Sequence, residues 1–108
     1  MDQLRIIIEG LGADEAAIAL LQCRGFGGWR TMALAQGEKI TETVHISSIS
    51  CGNQLAAAQF VNWWESWSEG RNGKPIHHAM VIGPDGKRRL LKDLSRFDWK
   101  NLLSAWFG

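Results

Sequence analysis

The stretch 52–70, GNQLAAAQFVNWWESWSEG, constrains the fold of this chain more than any other. At about 100° per residue, Ala56, Phe60, Trp63 and Trp67 align on one narrow stripe, while Asn62, Glu65, Ser66 and Glu69 face away. An apolar stripe at this spacing is the buried side of an amphipathic helix. Its alanines let the helix approach a sheet closely, and its aromatics fill the space that remains. Ser50 and Asn53 are candidate N-caps, and Gly70 closes the far end. Trp64 sits beside the stripe and is the tryptophan expected to stay available to a partner.

The flanking segments supply the sheet. LRIIIEG (4–10) is short, β-branched and closed by glycine, so it reads as a buried strand. GADEAAIALLQCRG (12–25) reads as a helix, with Asp14 and Glu15 in the first turn, where the dipole favours anions, and Gly25 as its stop. Ala17, Ile18, Leu20 and Leu21 supply its apolar stripe. The glycines of GFGGWR suggest a flexible loop anchored by Phe26 and Trp29. WRTMALA and KITETVHISSI then predict two strands joined at Gln36-Gly37-Glu38. In the second, Ile40, Val44 and Ile46 alternate with Thr41, Thr43, His45 and Ser47, which marks a half-buried strand.

After the tryptophan helix, RNGKP is turn-rich, and IHHAMVI, GPDG and KRRLLK form a hairpin signal. Ser95, with Asp98 three residues on, caps a last helix in which Trp99, Leu102, Leu103 and Trp106 keep helical spacing. The order β-α-β-β-α-β-β-α predicts an α+β fold. Its first six elements match the ferredoxin-like split β-α-β sandwich, with a C-terminal extra strand and helix that widen or cover the sheet. Residues 1–108 read as one domain.

A formal net charge of +1 hides an asymmetry. Residues 1–70 carry four basic and eight acidic side chains, and residues 71–108 carry eight basic and three acidic. Such polarity suits an acidic protein partner, nucleic acid or self-association; a solvated charged face is the plainer alternative. No apolar run approaches the ~18–20 residues that span a bilayer. The first residues resemble neither a signal nor a transit peptide. Two cysteines, Cys23 and Cys51, make no disulfide framework, and a cytoplasmic protein without membrane partners is the expectation.

Chemistry-bearing motifs are few. CRGFGGWR (23–30) resembles the aromatic strand motif of RNA-recognition domains, but it follows the first helix, and LRIIIEG and KITETVHIS carry no aromatic to complete a stacking platform. GLGAD is a strand-to-helix turn without the third glycine of a dinucleotide loop. Cys51 at a predicted helix N-terminus, where the dipole lowers a thiol pKa, and His78 on a following strand, are the enzymatic alternative. Their layout is similar to that of papain-like thiol hydrolases, with Asp85 or Asp93 as the orienting group. A small buried cysteine is the plainer reading. The cysteines and histidines form no C-x-x-C or H-x-x-x-H pair, and His77 and His78 point to opposite faces of a strand, so no metal and no cofactor is expected. The basic hairpin PDGKRRLLK could meet phosphates, although a pI near 7.8 is low for a nucleic-acid footprint, and Arg88 and Arg89 also suit a soluble sheet edge.

NQLAAAQFVNWWESW, HHAMVIGPDGKRRLL and FDWKNLLSAW, with the opening LRIIIEG, together resemble the effector-associated constant component of bacterial conflict systems. The resemblance covers about the whole chain and rests on hydrophobic pattern and one Pro-Asp-Gly turn. It implies a non-enzymatic adaptor that couples regulatory and effector proteins in prokaryotic defence; a small phage or mobile-element inhibitor protein of similar size would show the same lack of motifs. The expected partner-binding residues are Trp64, Lys87, Arg88, Arg89 and Lys92, since tryptophan and arginine dominate interface hot spots. Self-association stays open.

Overall fold

The computed structural model describes residues 4–10, 12–32, 41–49, 52–68 and 78–107, except for the side chains of Asn53 and Ser68. The elements run β1 (Leu4–Glu9), α1 (Ala13–Leu21), β2 (Phe26–Met32), β3 (Thr41–Ile49), α2 (Asn53–Ser68), β4 (His78–Ile82), β5 (Arg88–Leu90), one 3-10 turn (Leu91–Asp93) and α3 (Arg96–Phe107). The five strands form one antiparallel sheet in the order β2-β3-β1-β4-β5. The fold is therefore α+β, with a five-stranded antiparallel sheet and three helices. Each long helical connection skips one strand: α1 carries the chain from β1 past β3 to β2, and α2 carries it from β3 past β1 to β4.

One face of the sheet is covered by the helices. Opposed residues of neighbouring strands share a face, and the pairs Leu4–Ile46, Ile6–Val44, Ile6–Val81 and Ile8–Ala79 are all buried. All three helices meet this face. Arg30 of β2 reaches the backbone of Asp14 in α1, Phe26 of β2 packs on Phe60 of α2, and Trp106 of α3 lies against Gly83 and Arg89. Ala56, Phe60, Trp63 and Trp67 are buried, as the helical spacing of α2 predicts. Phe60 is the joint between layers, with Phe26 at 4.8 Å and Trp99 stacked at 4.5 Å and 8°.

Local chemistry explains several element ends. Ser95 and Asp98 form the reciprocal cap of α3: Asp98 N–H donates to Ser95 Oγ at 3.1 Å, and Ser95 N–H donates to Asp98 Oδ2 at 3.0 Å. Gly10 and Gly12 turn β1 into α1 at φ 124° and 82°, which is what GLGAD is for.

Two sequence expectations need correction. The apolar stripe of α1 is rotated towards its alanines: Ala13, Ala16, Ala17 and Leu20 are buried, while Ile18 is 40% exposed. The reason is helix approach, since Trp63 Nε1 donates to the Ala16 carbonyl at 2.8 Å, a contact that a bulkier α1 surface would prevent. At the start of α2, Gly52, at φ 81°, accepts the first helical bond from Ala56 N–H; the candidate caps, Ser50 and the Asn53 side chain, lie outside the described residues. Second, GFGG is no loop but the start of β2, bulged between Gly27 and Gly28. A Cβ at Gly28 would collide with the His45 carbonyl, so these glycines let an edge strand close tightly on β3. Glu42 lies on the buried face of β3 with Val44 and Ile46. The Gln36-Gly37-Glu38 turn and Ile40 lie outside the described residues.

Candidate functional site: the open face of the sheet

The face opposite the helices is built by alternation along each strand. One cross-strand row runs Trp29, His45, Arg5, Ile82, Arg88, through all five strands. The next row is Thr31, Thr43, Ile7, Met80, Leu90, and a third sets Thr41 beside Glu9 and His78. With strands ~4.8 Å apart, the first row is a ladder of ring, ring, cation, apolar group and cation. Trp29 is 49% exposed, and its indole stacks on His45 at 3.8 Å and 12°. Burial, and then the Arg5 guanidinium beside it, hold the His45 imidazole below its ordinary pKa, so the ring favours its neutral form.

The helix side of β2 carries an anchored charge. Arg30 Nη1 donates to Asp14 O and to Glu42 Oε1, each at 3.4 Å, with its side chain 39% exposed and that of Glu42 fully buried. Burial pushes the Glu42 carboxyl above its usual range, Arg30 opposes this, and Asp14 adds to it. Glu42 Oε2 is buried without a hydrogen-bond partner.

The expected partner-binding residues do not form one patch. Lys87, Arg88 and Lys92 are exposed, and Arg88 belongs to the open face. Arg89 points to the helix side instead, over the Trp106 ring at 5.6 Å and paired with Asp85 at 3.4 Å. Asp85 also accepts the Lys87 N–H at 3.0 Å, the first cause of its lowered pKa, so this carboxylate organises the turn. Trp64 is half-buried against the core, 6.2 Å from Trp63, and Trp29 replaces it as the exposed tryptophan. The physical reason is that α2 is sheltered on more than one side, since α3 packs along it. Of the thiol-hydrolase residues, Cys51 lies outside the described set, as does His77, and His78 stands on the open face opposite Glu9.

Sequence reasoning missed Trp29, His45 and Arg5 as a unit. Each lies at a polar-face position of its strand, but pairing them needs the strand order, which alternation alone does not supply. A second feature, a groove of about 470 Å³ between α1 and α2, has Trp63 and Trp67 on its floor, with Cys23, Gln59 and Ser66 among its lining residues. No group of three or more metal-ligating side chains occurs among the described residues, and no helix among them is long and apolar enough to cross a membrane. Comparison with protein-family models, with curated proteins and with solved structures finds no match for this chain.

Proposed function

We propose that this chain is a non-enzymatic protein-binding module whose working surface is the open sheet face, from Trp29 on β2 to Arg88 on β5, and whose partner presents an acidic surface. The observation that carries this reading is the Trp29–His45–Arg5–Ile82–Arg88 row. It joins an exposed aromatic and two arginines, the residue types that anchor interfaces, on the sheet face opposite the three described helices. Lys87, exposed in the turn before β5, extends the positive rim. Arg89 and Trp64 drop out of the surface because their side chains serve the fold.

Strand order and helical connections support reading the first six elements as a ferredoxin-like sandwich, with β5 widening the sheet and α3 covering its helical side. Resemblance to the effector-associated constant component supports a place for the module as an accessory or regulatory protein of a prokaryotic defence or mobile-element system, acting in the cytoplasm. Its partner is then a regulatory or effector protein of that system.

The test is affinity capture from the native host with the wild-type chain and with Arg5→Glu/Arg88→Glu, both checked by circular dichroism. Charge reversal at two exposed or half-exposed sheet positions should abolish recovery of the partner and leave the fold intact. Equal recovery by the two proteins contradicts the reading. One observation favours a second reading: an exposed indole stacked on a neighbouring ring beside an arginine also suits single-stranded nucleic acid. That reading requires a gel-shift complex at low salt that weakens steeply as salt rises.

A further inference from the structure

We infer that the outer edge of β2 is a strand-addition site, whose occupant is an extended segment of a partner protein carrying an acidic residue followed by an aromatic one. The inference rests on the protein-binding reading above and names the partner's chemistry.

β2 ends the sheet order, and its described pairing is with β3 alone. Five consecutive residues, Gly28 to Met32, are exposed, with Met32 at 69%. An edge strand of this length presents a row of backbone donors and acceptors to any strand that fits. The opposite edge, β5, is only three residues long and runs straight into a 3-10 turn.

The side chains at the β2 edge select what is added. His45 covers one face of the Trp29 indole from the inner strand, so the other face looks outward from the sheet. A further strand would lie ~4.8 Å beyond, where an aromatic side chain continues the stack. Arg30, the next residue, sits on the other face, with Nη1 fixed by Asp14 O and Glu42 Oε1. A guanidinium has five N–H donors, so an anchored Arg30 still offers donors to a carboxylate on an added strand. It resists a strand that brings a basic residue to that position. In an antiparallel strand the residue opposite Arg30 precedes the residue opposite Trp29, which fixes the order as acid, then aromatic.

A second copy of the chain does not meet these demands. β2, FGGWRTM, contains no acid. Opposed residues in an antiparallel self-pairing share a face, so Arg30 would meet Gly28, Arg30 or Met32 of the other copy and never a carboxylate.

The experiment titrates the intact chain with the capped hexapeptide Thr-Val-Glu-Tyr-Val-Thr, followed by amide chemical shifts. Its Lys-for-Glu form and two forms N-methylated at alternate residues serve as controls. Saturable binding at or below about 1 mM is expected, with shifts concentrated in β2. One N-methylated form should lose binding and the other keep it within about twofold, because only alternate amides face β2. Lys-for-Glu should weaken binding at least about tenfold, and Trp29→Ala about three- to tenfold. Equal binding by both N-methylated forms overturns strand addition while leaving the open-face reading intact, since that reading is decided by Arg5→Glu/Arg88→Glu capture. Absence of saturable peptide binding, equal binding of the Lys form, or displacement of the peptide by self-association or by a single-stranded oligonucleotide overturns the inference as well.

Discussion

Truncating Phe60 should loosen α2, α3 and β2 at once, because its ring joins them. Phe60 is fully buried, tilted on Phe26 of β2 at 4.8 Å and stacked on Trp99 of α3 at 4.5 Å. Removing a buried phenylalanine to alanine costs about 3–5 kcal/mol through lost transfer energy and a cavity that refills only partly. Aromatic pairs add about 0.5–1.5 kcal/mol each beyond burial, which places Phe60→Ala in the upper part of that range. A domain of this size has a total stability of about 5–15 kcal/mol, so the variant should be marginally folded. At roughly 4 °C per kcal/mol, its Tm should fall by about 15–20 °C. Urea denaturation followed by circular dichroism and tryptophan fluorescence gives the comparison. A double-mutant cycle of Phe60→Leu with Trp99→Leu isolates the stack, with an expected coupling of about 1 kcal/mol. A loss below about 1 kcal/mol for Phe60→Ala, or a coupling near zero, would refute the idea that this stack joins the helices to the sheet.

Other perturbations probe single features. Gly83→Ala should displace Trp106, because a Cβ at residue 83 would collide with the indole ring; a crystal structure of the variant with Trp106 unmoved would contradict this. Gly28→Ala drives a Cβ into the His45 carbonyl and should loosen β2 on β3, seen as faster amide exchange in β2 than in β4. Wild-type stability should decline as pH rises from the ordinary carboxylate range through the raised Glu42 pKa, since the folded state holds that proton more tightly. Denaturation midpoints of Glu42→Gln should lack this decline. His45, lowered in the folded state, contributes stability that is present above the ordinary histidine range and is lost as pH falls through its folded pKa. Arg5→Gln should move that pKa upward in a proton NMR titration, and an unchanged value would remove the Arg5 contribution.

Periodicity made most of the fold legible. The α2 stripe, the alternation of β3 at Val44 and Ile46, and the Ser95–Asp98 cap are local signals, and each appears where residue spacing puts it. Glycine was the misleading residue. GFGGWR carries the composition of a loop, but Gly27 and Gly28 serve close approach to β3, and such a contact is decided by a strand more than a dozen residues away. The α1 stripe was misplaced for a related reason: Ala16 is buried because a tryptophan from α2 comes to its carbonyl, so its burial depends on a distant segment. The site was less legible than the fold. Trp29, His45, Arg5 and Arg88 come from four strands, and only the order β2-β3-β1-β4-β5 aligns them. Arg88 and Arg89 are adjacent and alike in sequence; strand alternation alone sends one to the open face and the other to Trp106.

In the proposed function, partners are recognised at the open face and the β2 edge. Amide hydrogen exchange on the free chain and on its complex with the captured partner tests it most directly. New protection is expected in β2 and in the open-face residues of β1 and β3, with α2 and α3 unchanged. Protection confined to the helices, with β2 exchanging as it does in the free chain, would contradict it.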